Sequence, residues 1–210
     1  MTLTMDKATA LSIAWTLSKP GKMPVHSTSL PAKDCRVGSR LAKVAGSTCH
    51  GCYALKGNYR FANVKRAMQK RLDGITHPLW VDAMVWLIDD AGEDYFRWHD
   101  SGDIQSLDHL IKIVAVCKRT PNVQHWLPTR EYRIVALFQR LYGQFPPNLV
   151  TRLSAHMVDG DPPTKLGLPT STVVTDDADR TCKAPDQGGK CLDCRDCWNP
   201  SVQNVAYGLH

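Results

Sequence analysis

The chain has 210 residues, 43% hydrophobic and 22% charged, which suits one globular domain able to bury a core and excludes a disordered or collagen-like chain. No apolar run approaches the roughly 20 residues a membrane-spanning helix needs. The net charge of +6, with a pI near 8.9, makes nucleic acid a candidate partner without singling it out.

The N-terminus places Asp6 and Lys7 ahead of a short apolar stretch. It lacks the basic opening and small-residue cleavage site of a signal peptide, so the expected location is the cytoplasm. Eight cysteines in a reducing compartment argue for metal or redox chemistry over structural disulfides. Residues 1–62 are rich in Gly, Pro, Ser and Lys and read as an irregular, Cys-containing segment. A helix is expected from Asn63, with Val64, Ala67, Met68 and Leu72 on one face. Pro78 opens another that ends at Gly92.

From Tyr95 the pattern becomes regular. Tyr95–His99 reads as a strand. Ser106 caps a helix with Leu107, Leu110, Ile111, Val114 and Cys117 on its apolar face. Val123–Leu127 is a second strand, and Thr129 caps a helix striped by Ile134, Leu137, Phe138 and Leu141. Leu149–Ala155 and Ser171–Thr175 complete the set. Strands alternating with helices at about 25-residue spacing predict a parallel sheet with right-handed crossovers. The expected fold is therefore α/β, a partial parallel (β/α) barrel over residues 63–178. It forms one domain across 1–210, with a Cys-rich metal-binding tail at 179–210.

The strands end in polar residues, and ligands of parallel α/β folds sit where carboxyl ends meet. His99, Asp100, Asp103, His125, Arg130, Arg152 and His156 are the pocket candidates. The two arginines could grip a carboxylate or phosphate, and His99 and His156 could move protons near neutral pH. The plainer reading makes these residues helix caps and loop fasteners.

Seven cysteines fall in two groups: Cys35, Cys49 and Cys52, then Cys182, Cys191, Cys194 and Cys197. Two Cys-x-x-Cys turns in a row bring three thiolates together, as in the cluster-binding run of bacterial ferredoxins. Three thiolates so closely spaced are cramped around one small ion and better spread over a cubane, so a [4Fe–4S] cluster is preferred and zinc is the alternative. One cluster shared by both groups and two separate clusters remain open. His50, between Cys49 and Cys52, reads as a solvent-exposed neighbour, and Cys117 as a small buried hydrophobe. Lys56, Arg60, Lys65, Arg66, Lys70 and Arg71 interleave with Tyr53, Tyr59 and Phe61. That mixture could bind phosphates and stack on bases, or it could be a solvated helix face.

The segments SLPAKDCRVGSRLAKVAGSTCHGCYALKGNYR, FRWHDSGDIQS, WLPTREY, LSAHMVDG and GGKCLDCRDCWNPSVQNVAYGLH together resemble the phage-encoded, cysteine-rich gene-product-eighty-eight family over nearly the whole chain. The resemblance implies a viral origin, action in the host cell cytoplasm and a cluster, but no reaction. The layout is more distantly similar to radical S-adenosylmethionine (SAM) enzymes, which would make SAM a second ligand. Those enzymes carry Cys-x3-Cys-x2-Cys on one loop, whereas thirteen residues separate Cys35 from Cys49 here, and no glycine-rich methionine-binding motif follows. Three functions compete: a cluster-dependent enzyme or its derivative, a nucleic-acid-binding regulator with a structural cluster, and a zinc-binding module for a host protein.

Overall fold

The computed structural model describes residues 5–209; Met1–Thr4, part of the stretch read as lacking a signal peptide, and His210 lie outside. In chain order the helices and strands are α1 (Lys7–Ala14), β1 (Ser27–Ser29), α2 (Arg36–Leu41), α3 (Ala62–Gly74), α4 (Trp80–Ala91), β2 (Tyr95–Ser101), α5 (Leu107–Arg119), β3 (Gln124–Thr129), α6 (Tyr132–Tyr142), β4 (Leu149–Ser154), β5 (Thr170–Val174) and β6 (Asn204–Gly208). The strands form one six-stranded sheet in sequential order, every neighbouring pair parallel. This is a partial parallel barrel, as the strand–helix alternation predicts.

Several expected elements form for the expected reasons. Ser106 accepts from the His109 amide and starts α5, and Gly92, at φ +62°, ends α4 in the left-handed conformation that glycine adopts without strain. Strand side chains alternate between two cores. Phe96, Trp98, Leu127, Leu149 and Leu153 pack beneath α4, α5 and α6 against Met84, Leu87, Ile88, Leu110, Ile113, Val114, Cys117, Val135 and Phe138. On the sheet's other face a smaller cluster joins Met23, Val25, Trp126 and Trp198, with Tyr95, Tyr207, Cys191 and Cys197 against it.

Other expectations need correction. Residues 1–62 are not irregular throughout, since they hold α1, β1 and α2. The tail supplies β6, paired along all five residues of β5. The fourth expected strand runs Thr170–Val174. Thr129 caps no helix as the residue before it; its hydroxyl accepts from the Glu131 amide and donates to Asp103. Leu141, expected in the α6 stripe, is 56% exposed. The last two crossovers contain only 3-10 turns, because Pro162, Pro163 and Pro169, then the Gly- and Cys-rich tail, break helical periodicity.

One backbone distortion shapes the rim. Between β1 and β2, Ser27 pairs with Arg97 but Ser29 with Ser101, so β2 carries two extra residues. His99 absorbs them at φ +59°, a conformation uncommon outside glycine. This bulge breaks the alternation of facing along β2.

Candidate functional site

The first cysteine group lies on a segment stretched across the carboxyl ends of β2, β3 and β4. Leu30 donates its amide to Ser101 O at 2.8 Å. Val37 N reaches Glu131 Oε1 at 2.7 Å, and Thr48 donates its amide to His156 O at 2.9 Å and its hydroxyl to Ala155 O at 3.0 Å. Tyr53 donates its hydroxyl to Asp100 O, and Tyr59 donates to Asp100 Oδ2 at 3.1 Å.

Cys35, Cys49 and Cys52 are half-buried in this segment, and all eight cysteines of the chain are free thiols. Gly38 clears space for two of them. A Cβ there would stand 3.0 Å from Cys35 Cβ, 3.6 Å from Cys35 Sγ and 3.7 Å from Cys49 Sγ. Burial, then Asp103 and the other two cysteines, pushes the Cys35 thiol up, while Arg130 acts in the opposite sense. Cys49 is raised by burial, again against Arg130. The thiols, Asp103 and Arg130 thus share one electrostatic neighbourhood.

Asp103 is buried at 5% exposure. It accepts from Thr129 Oγ1 at 2.6 Å, Ile104 N at 2.8 Å and Arg130 N at 2.9 Å. Burial outweighs these bonds and pushes its carboxyl up to about 6. Arg130 Nε donates to Thr48 Oγ1 at 3.0 Å, beside Cys49. The His156 Nε2 lies 3.3 Å from Arg130 O, and its ring stacks on Tyr132 at 4.4 Å. Asp100 accepts from Ser27 Oγ at 2.8 Å and holds Tyr53 and Tyr59.

The remaining pocket candidates lie elsewhere. His99 is turned into the core, its ring 5.3 Å from His109 and 6.2 Å from Trp98, and neither ring nitrogen has a hydrogen-bond partner. Burial, then His109 and Arg97, holds its pKa well below the usual imidazole range. His125 is the second residue of β3, far from its carboxyl end. Its Nε2 lies 2.8 Å from Thr120 Oγ1 and its ring stacks with Trp98, so it belongs to the outer core. Arg152 is fully buried. Its guanidinium donates to Thr170 O and Val202 O at 2.9 Å and to Asp196 O and Asn199 O at 3.2 Å. It is therefore a clamp on the C-terminal tail and binds no carboxylate or phosphate there.

The second cysteine group sits in that tail. Cys182 donates its amide to Ala206 O in β6, and Cys191 to Lys22 O, both at 2.9 Å. Cys197 Sγ lies 3.2 Å from the Tyr207 hydroxyl, and burial pushes its thiol up to about 11. Cys182, Cys191, Cys194 and Cys197 line one cavity of about 20 Å³ with Trp198 and Val205, and no cysteine of the first group joins them. Trp198 anchors the tail: its Nε1 donates to Phe96 O at 2.9 Å, and its ring meets Trp126 at 5.1 Å and Tyr95 at 5.7 Å.

Arg97, absent from the sequence candidates, stacks over Trp126 at 4.5 Å. Its charge is favoured by Tyr53 and Asp100 from the rim and by Tyr207 and Cys197 from the tail, against burial. The alternation of β2 was its only sequence signal. Of the basic candidates, Lys56, Arg60, Lys65 and Arg66 are exposed. Lys70 Nζ sits 3.7 Å over the Trp15 ring. Arg71 is buried, donating to Thr16 O at 2.7 Å and Ser29 Oγ at 2.6 Å.

Among the described residues, no three His, Cys, Asp or Glu side chains converge on a single-ion site, and no helix is long and apolar enough to cross a membrane. A family described as Gene product 88 matches residues 1–200. No curated protein and no solved structure matches the chain.

Proposed function

The chain belongs to the gene product 88 family, and we propose that within it this protein is a cysteine-ligated metalloprotein. Its main centre is a [4Fe–4S] cluster on Cys35, Cys49 and Cys52 at the mouth of the barrel. The observation that carries this reading is the placement of three free thiols on one segment fastened across three strand ends, where such folds act on ligands. The donor set suits the group: iron–sulfur clusters are held by thiolates, and Gly38 leaves room beside two of the sulfurs. Because no three side chains converge on one ion, loading must draw the thiols inward and release their protons, a coupling usual for metal sites.

A cluster there would supply electron-transfer or Lewis-acid chemistry. The chain's own residues do the rest. Arg130 places positive charge beside the thiolates, Asp103 holds the Arg130 backbone, and Glu131 and Thr48 fix the segment. Cys35, Cys49 and Cys52 would supply three thiolates to a cluster held there, one fewer than the four that usually hold a cubane. That feature and the sequential parallel sheet support SAM as its ligand and a radical-SAM-like enzyme, or a derivative of one, acting in the cytoplasm of a phage-infected host.

The tail cysteines form a second centre. Cys182, Cys191, Cys194 and Cys197 line one small cavity, and four thiolates are the usual donor set of a structural zinc ion. Because no three of them yet converge on one ion, zinc would have to draw them together as it binds. Metal and acid-labile sulfide analysis of anaerobically purified protein tests both assignments. Iron with equal sulfide, alongside zinc, is the expected result, and zinc alone refutes the cluster.

A further inference from the structure

Residues 35–72 contain nine of the chain's 26 lysines and arginines and none of its 20 acids, so the remainder of the chain is net negative. Within that stretch Arg36, Arg40, Lys43, Lys56, Arg60, Lys65 and Arg66 are exposed. Four large apolar or aromatic side chains are exposed among them: Phe61 at 58%, Tyr53 at 51%, Leu55 at 49% and Val44 at 44%. Tyr53 is half-exposed yet fixed, its hydroxyl bonded to Asp100 O and its ring edge-on to Tyr59 at 5.8 Å. Phe61 stands immediately ahead of α3, on whose open face Lys65 and Arg66 follow.

A helix face that merely faces water mixes charges of both signs and hides its rings. This surface does neither. We propose that it is a docking surface for single-stranded nucleic acid, with Lys56, Arg60, Lys65 and Arg66 meeting phosphates and Phe61 and Tyr53 stacking on bases. Cations without acids attract a polyanion and make binding salt-dependent. Exposed rings stack on unpaired bases, which a duplex keeps covered. An anionic membrane is less well matched, because the apolar residues stand on bends and short 3-10 turns and not along the apolar face of an amphipathic helix. Tyr53 follows Cys52 directly, so a bound strand would run beside the first cysteine group. The proposal itself rests on charge and exposure, whatever the cysteines hold.

The test is fluorescence anisotropy on the full chain with a labelled oligothymidine of about twenty nucleotides, a site or more for single-strand binders. It is compared with a duplex of equal length, with polyglutamate as competitor and with anionic vesicles. The single strand should bind best. Phe61→Ala should weaken it tenfold or more while leaving the salt slope alone. The double variant Lys65→Gln/Arg66→Gln should reduce the slope of log affinity against log salt by about 1.4, from about 0.7 per phosphate contact. All three residues are exposed, so melting temperatures should match the parent. Arg60→Gln, expected to lower the slope by about half as much, replaces any variant that melts early. Duplex binding as tight as the single strand, equal competition by polyglutamate, preference for vesicles, or no salt-sensitive binding would each overturn the proposal. Metal content measured on the same samples separates the two ideas: binding without metal sinks only the metal reading, and metal without binding sinks only this one.

Discussion

The two cysteine groups are built differently. The first lies on a cationic segment laid over the strand ends, fastened by backbone bonds, with polar neighbours such as Asp103, Arg130 and Thr48. The second is wedged against tryptophans and a tyrosine on the inner face of the sheet, with four thiols around one small cavity. An open three-thiol group among polar residues suits a centre that meets a ligand. A closed four-thiol group packed on aromatic rings suits one that holds the fold together, since the segment around it contains only 3-10 turns between β5 and β6.

This contrast breaks most visibly at the metal proposed for the tail. Replacing Cys191, Cys194 or Cys197 with Ser should remove the tail metal, expose residues 179–203 to limited proteolysis and lower the melting temperature, because metal binding there is folding energy. Replacing Cys35, Cys49 or Cys52 should leave that tail protected. Equal proteolysis in both sets would erase the distinction.

Next in size is Arg152→Leu. It removes four bonds from one buried guanidinium. Although Asp196 O and Asn199 O keep the Asn199 and Val202 amides as partners, the loss should cost about 3 kcal/mol, the upper range for hydrogen bonds to a charged group. Urea unfolding measures it, and an unchanged midpoint would show that the clamp is idle.

Acid should destabilise the protein. Burial depresses the folded pKa of His109 and of His125 to about 3, and that of His99 well below the usual value. The unfolded chain therefore binds more protons below its histidine pKa of about 6.5, and stability falls as pH drops from there toward about 3. Asp103, raised to about 6 by burial, acts oppositely: its contribution is complete below about 3.8 and fades as pH rises through about 6. Three histidines outweigh one carboxyl, so the unfolding midpoint should drop steadily between pH 6.5 and 4. A midpoint that rises over that range contradicts the burial of these rings.

The smallest effect separates a fastener from a ligand. Asp100→Asn keeps one acceptor oxygen and turns the other into a donor, so one of the Ser27 and Tyr59 bonds must be lost or reversed. It should cost about 1 kcal/mol with no change in metal content. Cys117→Ser, in the outer core, should also leave the metal untouched. Metal loss from either would move that residue into a centre.

How much of this was legible in the sequence follows from local physics. α5 and α6 announce themselves by helical stripes, and β2 to β4 by short apolar runs between turns. β1 is three small polar residues, Ser-Thr-Ser, buried only because β2 covers it. β6 follows a Cys-rich stretch with no strand signal before it. α1 is short and apolar without a clear polar face. The Cys-x-x-Cys turns were readable from spacing, but the placement of Cys35 beside Cys49 and Cys52 was not, since thirteen residues separate it from Cys49. The rest of the mouth was only half readable. Asp103, Arg130 and His156 gather near the first group, but the left-handed residue at His99 resets the facing of β2, His125 begins its strand instead of ending it, and Arg152 points inward to the tail. None of these facts is visible without register.

The most direct test of the metal reading is iron, zinc and acid-labile sulfide per chain in anaerobically purified wild-type protein and in the Cys35→Ser/Cys49→Ser/Cys52→Ser variant. The account predicts iron with equal sulfide in the wild type, both lost in the triple variant while the tail metal stays. Unchanged iron and sulfide in the triple variant, or a folded wild type with neither, would contradict it.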